Sequence, residues 1–131
     1  MGDLLGNAVR FGVPEDVMAA GEGIETVLSL RCVLPAMPMV AALSAAHLSA
    51  ILFPLRLRRL YIISDNDAAG DGAAASLIDR AKALGIEAIA LSPTLEDFNE
   101  DLRTLGVDAL RTAIGAQLAP QDVARFMELP A

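Results

Sequence analysis

The sequence is poor in aromatic residues, cysteine and histidine, and these shortages exclude several kinds of protein. With aromatics at 4% of 131 residues and no tryptophan, the core has to consist of alanine, leucine, isoleucine, valine and methionine. The single cysteine, Cys32, excludes an internal disulfide and a cysteine-based zinc site, and it suits a cytoplasmic protein. We expect Cys32 to be a small core residue. We expect the only histidine, His47, on a helix face or cap rather than in catalysis.

Positive charge is also scarce. Lysine and arginine number 10 against 17 acidic residues, which gives a formal charge of −7. A free-standing nucleic-acid binder is disfavoured, because most such affinity comes from basic side chains that neutralise phosphates. Acidic groups gathered around a bound cation would give the same charge balance. Three of the arginines, Arg56, Arg58 and Arg59, lie close together in the sequence and are expected to form a solvated surface cluster.

The sequence lacks a hydrophobic run that resembles a membrane span or a signal peptide. Residues 32–55 carry no formal charge and are about long enough to cross a bilayer. Pro35, Pro38 and Pro54 divide this stretch into pieces that fit a buried strand and a helix better. Charged residues interrupt the first 16 positions, so we expect neither a signal peptide nor a membrane partner.

Strand and helix patterns alternate along the chain. Short apolar runs predict four strands, at 17–20, 40–43, 57–64 and 86–91, and residues 8–11 form a further short candidate. The stretches that predict helices are 24–31, 45–53, 73–84, 95–105, 107–118 and 121–128. Such alternation, with strands that are nearly continuous apolar runs, predicts an α/β fold. We expect about four strands in a mostly parallel sheet, flanked by helices on both faces.

Acidic residues follow three of the four predicted strands. They are Glu22 and Glu25 after the first strand, Asp65 and Asp67 after the third, and Glu96 and Asp97, followed by Asn99, after the fourth. Because the carboxyl ends of parallel strands meet at one edge of a sheet, these side chains are expected to lie close together. Like charges so placed would raise one another's pKa values. A hard divalent ion removes that cost, and Mg²⁺ suits oxygen ligands.

Several known motifs place acidic or glycine-rich residues directly after a strand, and most of them match this sequence poorly. An EF-hand loop that starts at Asp65 fails at two ligand positions, which are Ala69 and Ser76. Ala69 also disfavours a dehalogenase-type phosphatase, in which the first aspartate is the nucleophile. A dinucleotide site after the first strand would place Glu22 against a pyrophosphate, and no P-loop motif is present. For Asp65 and Asp67 alone, an Asx turn that caps the next helix remains open.

The ordered set of motifs resembles a known family. The strings GNAVRFG, GEGIETVLSL, AALSAAHL, IISDNDAAGDGAA and EDFNEDL are similar to toprim domains of primase and primase–helicase proteins of phages, plasmids and integrated elements. Toprim domains also occur in topoisomerases, some nucleases and recombination proteins. The resemblance extends from about Ala8 to Leu105 and implies the Rossmann-like toprim fold.

The resemblance also implies a role for individual residues. Glu22 matches the toprim glutamate, the proposed general acid and base that handles the proton of the attacking or leaving hydroxyl. Asp65 and Asp67 match the paired aspartates that bind Mg²⁺, for which Mn²⁺ is able to substitute. Asp97 matches the first acid of the third primase motif and is a further metal ligand. Glu25 matches an acidic position in primases and is an additional candidate for a metal contact.

The third motif departs from the primase pattern at one position. Asn99 stands where many primases have a second aspartate, so it offers a carbonyl oxygen without charge and would bind a second metal only weakly. Gly70 and Gly72 are expected to keep the loop after Asp67 small, so that a phosphate backbone can approach.

The resemblance implies Mg²⁺-dependent nucleotidyl transfer that makes RNA primers for DNA replication. The partners would be single-stranded DNA, nucleoside triphosphates and other domains of a parent chain, such as zinc-binding and helicase domains, and the isolated piece is expected to be inactive. We divide the chain into an extension at the cut end of a larger protein (1–12), a catalytic toprim domain (13–105) and a helical extension (106–131). The alternatives are a toprim nuclease that nicks DNA and a non-catalytic module for DNA loading or assembly.

Overall fold

The computed structural model describes residues 8–64 and 68–127, and of residues 68–71 it describes the backbone alone. In chain order the elements are β1 (Val9–Phe11), β2 (Val17–Gly21), α1 (Ile24–Arg31), β3 (Met39–Ala41), α2 (Ala45–Ser49), β4 (Arg59–Ile63), α3 (Ala68–Ala83), β5 (Glu87–Leu91), α4 (Phe98–Leu105), α5 (Val107–Gly115) and α6 (Pro120–Phe126). The predicted alternation of strands and helices is confirmed.

The described strands form one five-stranded sheet in the order β1-β3-β2-β4-β5. Strands β3, β2, β4 and β5 run parallel, and β1, the short candidate at residues 8–11, pairs antiparallel with β3. Gly21 pairs with Ala41 on one side and with Ile63 on the other, and Ile63 pairs with Leu91. The four parallel strands therefore end at the same height in the sheet, and we call this side of the sheet the carboxyl edge.

Both faces of the sheet are covered by helices, as predicted. Alternate strand residues such as Ala19, Tyr61 and Leu91 belong to a core shared with helices α1, α4, α5 and α6. Their neighbours in sequence, such as Leu60 and Ile62, belong to a second core shared with α2 and α3. The alternation follows from the period of two in a strand, and it explains why the strands read as continuous apolar runs.

The uncharged stretch 32–55 does not form one long helix. It contains β3, α2 and their connections, as the three prolines predict. None of the described helices combines the length and the apolar character that crossing a bilayer requires.

Helix α3 begins earlier than predicted. We expected a loop through Gly70 and Gly72 and a helix from residue 73, but the helix starts at Ala68 and includes both glycines. Alanine is the strongest helix former, and the alanines around these glycines outweigh the cost of glycine. The expectation of a small loop at Gly70 and Gly72 is therefore wrong.

Helix α4 begins later than predicted, because Asp97 caps it. The Asp97 side chain accepts a hydrogen bond of 2.7 Å from the backbone N–H of Glu100, which fixes Phe98 as the first helical residue. The preceding residues are held by Asp101, whose carboxylate accepts the N–H groups of Thr94 at 2.8 Å and Leu95 at 2.7 Å. Asp101 is 1% exposed, so a carboxylate that looks like a surface residue in the sequence is a buried anchor for the β5–α4 connection.

A polar cluster connects β4 to the C-terminal helix. The Tyr61 hydroxyl donates to Asp122 at 2.5 Å and accepts the N–H of Ala119 at 3.0 Å. Arg59 binds Asp122 at 2.9 Å and Glu87 at 3.0 Å. Burial, together with the hydrogen bond to Asp122, raises the pKa of Tyr61 well above its usual range.

The expectation that Arg59 joins a solvated arginine cluster is therefore wrong. Its side chain is 15% exposed, because Asp122 on α6 and Glu87 on β5 draw it against the sheet. Arg56 and Arg58 are exposed, as expected.

Candidate active site

Gly21 determines how Glu22 reaches the carboxyl edge. A Cβ at position 21 would lie 3.0 Å from Cβ of Ile63 and 3.2 Å from Cγ2 of Val27, so any other residue would have to push β4 or α1 away from β2 here. The next residue, Glu22, leaves the sheet directly at this edge and is half-buried. The predicted catalytic residue thus lies where β2 ends, beside the end of β4.

The β3–α2 connection holds the backbone of Glu22. The N–H of Leu43 donates to the Glu22 carbonyl at 2.7 Å, and the N–H of Ala42 donates to the Gly21 carbonyl at 2.8 Å. Leu43 has φ of 75°, the one positive φ among the described non-glycine residues. A left-handed leucine costs about 1–2 kcal/mol, so this contact is strained, and the sequence carries no signal for it.

A polar bridge joins α1 to α4 next to the carboxyl edge. The Asn99 amide donates to Oε2 of Glu25 at 3.4 Å. The Ser29 hydroxyl lies 3.3 Å from Oδ1 of Asn99 and 2.8 Å from the Glu25 carbonyl oxygen, so its single proton is shared between them. The structure therefore brings together two of the predicted candidates, Glu25 and Asn99, and it adds Ser29, which no motif in the sequence indicates.

Asp97 lies at the same edge, after β5. One of its carboxylate oxygens accepts the N–H of Glu100, which orients the side chain at the start of α4. The β5–α4 connection that carries Asp97 is in turn held by Asp101. No pattern in the sequence distinguishes Asp101 from an exposed acid, so its burial could not be predicted.

The paired aspartates of the prediction, Asp65 and Asp67, lie outside the described residues. Within the described ranges, no group of three or more histidine, cysteine or acidic residues could hold a metal ion. The candidate donors that are described, Glu22, Glu25 and Asp97, are carboxylates, and oxygen is the ligand type that Mg²⁺ prefers. The chemistry of the donor set therefore fits a magnesium ion.

Gly72 lies early in α3, and the place where its Cβ would be is open. No heavy atom lies within 4 Å of that point. Open space here is compatible with the approach of a phosphate backbone, which stays a prediction for Gly70 and Gly72.

A groove of about 550 Å³ runs between α1 and α4. We call it the α1–α4 groove, and it is lined by Glu25, Leu28, Ser29, Cys32, Asn99, Leu102 and Arg103. Cys32 is exposed here, so the expectation that it is a core residue is wrong. It follows Arg31, the last residue of α1, and lines the groove.

An α/β domain with acidic residues at the carboxyl edge of a parallel sheet is a recurrent class, and comparison with known families specifies it further. The toprim domain family matches residues 17–108, which is more than half of the chain. The chain therefore belongs to the toprim domain family. None of the curated proteins matches it.

Three solved structures of primases are similar to the chain. A DNA primase domain from Pseudomonas aeruginosa is 25% identical with a TM-score of 0.56, over 78% of this chain and 33% of that one. The zinc-binding and RNA polymerase domains of the Aquifex aeolicus primase are 21% identical with a TM-score of 0.56, over 78% of this chain and 26% of that one. The primase fragment of the bacteriophage T7 primase–helicase protein is 16% identical with a TM-score of 0.57, over 79% of this chain and 44% of that one. The last two likenesses concern the fold alone, and the chain spans less than half of each structure.

Proposed function

We propose that this chain is the catalytic toprim domain of a DNA primase-like protein, and that it serves Mg²⁺-dependent nucleotidyl transfer in RNA primer synthesis. The observation that carries the proposal is the level register of β2, β4 and β5, which end side by side at the carboxyl edge. In the sequence, Glu22 follows β2, Asp65 and Asp67 follow β4, and Asp97 follows β5. The likeness to the Pseudomonas aeruginosa DNA primase domain supports primase chemistry over the other activities of the family.

In the proposed reaction, Glu22 receives the proton of the 3′-hydroxyl as that oxygen attacks the α-phosphorus of a nucleotide. The new bond joins the 3′-oxygen to phosphorus, and the bond to the leaving pyrophosphate breaks. Gly21 and Leu43 hold the Glu22 backbone for this step, and Glu100 orients Asp97. A magnesium ion held by Asp65, Asp67 and Asp97 would lower the pKa of the hydroxyl and neutralise charge on the phosphates.

The template and the nucleotides would be gripped by the full-length protein. With a charge of −7, the chain is poorly suited to holding DNA by itself, so we expect the isolated piece to be inactive. The similar structures belong to longer primase chains, which supports further domains in a parent protein. A mobile-element or phage origin and a cytoplasmic location are part of this proposal.

A tyrosine-dependent topoisomerase is the least supported activity of the family. Tyr61 is the only tyrosine in the chain, and its side chain is fully buried against Asp122. A nicking nuclease and a non-catalytic loading module remain the two alternatives.

Primer synthesis by the full-length parent protein tests the proposal. On a single-stranded template with Mg²⁺ and ribonucleotides, we expect Glu22→Gln to lower the rate at least about a hundredfold, because general acid–base catalysis contributes that much. Glu15→Gln, an exposed acid outside the proposed site, is the matched control and should leave the rate unchanged. Nicking of DNA without primer synthesis would establish the nuclease instead, and full activity of Glu22→Gln would overturn the assignment of Glu22.

A further inference from the structure

The α1–α4 groove opens from the candidate active site. Glu25 lines the groove from the first turn of α1, and Asn99 lines it from the first turn of α4. These two helices follow β2 and β5, which end at the carboxyl edge. Its volume of about 550 Å³ lies within the range of sites for small molecules and cofactors. A ligand with phosphates at the carboxyl edge could therefore extend its other end into this groove.

The lining of the groove combines apolar walls with a few polar groups. Leu28 from α1, which is 45% exposed, and Leu102 from α4 supply apolar surface. The carboxylate of Glu25 and the amide of Asn99 supply an acceptor and a donor, and the guanidinium of Arg103 is exposed at the rim. This is the complement of a nucleobase, whose flat faces pack on apolar or guanidinium groups while its edge forms hydrogen bonds.

The two hydrogen bonds made by the Asn99 side chain in the groove are long. The Asn99–Glu25 bond is 3.4 Å long and the Ser29–Asn99 bond is 3.3 Å, both beyond the common range for hydrogen bonds. Such bonds can be exchanged for bonds to the edge of a base at little cost.

We propose that the α1–α4 groove binds the base of the nucleotide substrate. This inference rests on the proposed function and adds the place where the nucleotide is held. A mononucleotide is favoured over a DNA strand, because single-stranded nucleic acid is held along a track of cations. Among the described residues that line this groove, Arg103 is the one cation, and Glu25 adds a negative charge.

Nucleotide titrations of the protein, followed by amide and methyl NMR without divalent metal, test the inference. We expect 5′-AMP and 5′-GMP to shift the signals of Leu28, Ser29 and Leu102, whereas ribose 5-phosphate, which lacks a base, should not. Leu28→Trp fills the groove and should weaken binding at least about tenfold. Leu105→Trp is the matched control, because Leu105 is also 45% exposed but does not line the groove, and it should bind as the wild type does.

The outcomes separate this inference from the proposed function. Equal shifts with ribose 5-phosphate, or no groove shifts at saturating nucleotide, would overturn the base site even if Mg²⁺ binds at the carboxyl edge. If only a single-stranded oligothymidylate shifts the NMR signals of the groove residues, the groove binds DNA, and the proposal that it binds a mononucleotide is wrong. In the full-length parent, Leu28→Trp should raise KM for ribonucleotides with kcat and Mg²⁺ dependence unchanged, and a fall in kcat alone would contradict the inference.

Discussion

Two features of the backbone fix the position of Glu22. One is the close packing at Gly21, and the other is a backbone hydrogen bond from Leu43. Gly21 lets β2 pack against Ile63 and Val27, and Leu43 adopts a left-handed conformation that brings its N–H to the Glu22 carbonyl. Glu22 could be predicted from its position after a strand. The strained Leu43 could not be predicted, because strain of this kind follows from the packing of a connection and has no pattern in the sequence.

Replacement of Gly21 by alanine tests the close packing at this point. The added Cβ would lie 3.0 Å from the Ile63 Cβ, so we expect a loss of about 1–3 kcal/mol in the free energy of unfolding. Urea denaturation measures it. Gly72→Ala is the control, because its Cβ meets open space within α3 and should stabilise the protein by about 0.5–1 kcal/mol. A Gly21→Ala variant as stable as the wild type would contradict the packing described here.

Replacement of Asn99 by aspartate tests whether a second metal could bind at the bridge between α1 and α4. The new carboxylate would lie where the Asn99 amide now contacts Glu25 at 3.4 Å, and charge interactions at exposed sites are weak, so we expect Tm to fall by about 2 °C without metal. The double variant Asn99→Asp with Glu25→Gln removes the repulsion and should restore Tm. If Mg²⁺ restores the Tm of the single variant, a cation binds between the two acids. If Mg²⁺ leaves that Tm low, no cation binds between positions 25 and 99.

At the scale of elements, the sequence predicts most strands and helices because their patterns are local. Helix α1 has the predicted bounds, and each predicted strand is present. The early start of α3 is a local error of helix propensity, whereas two other errors arise from buried carboxylates that bind residues outside their own element. Asp101 holds residues 94 and 95 outside α4, and Asp122 draws Arg59 and Tyr61 to α6. An isolated carboxylate in a polar stretch gives no sign that it is buried.

The Tyr61–Asp122 contact between β4 and α6 predicts a dependence of stability on pH. Burial keeps Tyr61 neutral in the folded protein, while in the unfolded chain it ionises near its ordinary pKa of 10.0. The unfolded state is therefore favoured progressively above that value, so the free energy of unfolding should fall as the pH rises beyond about 10. Urea denaturation between pH 7 and 11, together with the ultraviolet absorbance of tyrosinate, measures both changes.

Tyr61→Phe is the control for this pH dependence. Since the chain has one tyrosine, the variant should lose the tyrosine contribution to the slope. At pH 7 it should be about 1–3 kcal/mol less stable, because the Ala119 N–H and one bond to Asp122 lose their partner. An unchanged slope in Tyr61→Phe would contradict a buried, neutral Tyr61.

For the whole molecule, the sheet and both layers of helices form one structure. The C-terminal helices α5 and α6 contribute Leu110, Ile114 and Phe126 to the same core as the strands. The division at residue 105 therefore separates segments that share a core, and it remains a proposal about the origin of the segments. The family could be predicted from the sequence because its motifs are ordered along the chain. The activity could not, because residues gathered at one edge support several reactions.

The central claim is that the carboxyl edge of the sheet holds a magnesium ion between the ends of β2, β4 and β5. Titration of the protein with Mg²⁺, followed by amide NMR, tests this claim most directly. We predict saturable shifts centred on Glu22, Ser64 and Asp97 in the wild type, and their loss in Asp67→Ala. Shifts that are absent in the wild type, or that persist unchanged in Asp67→Ala, would contradict the claim.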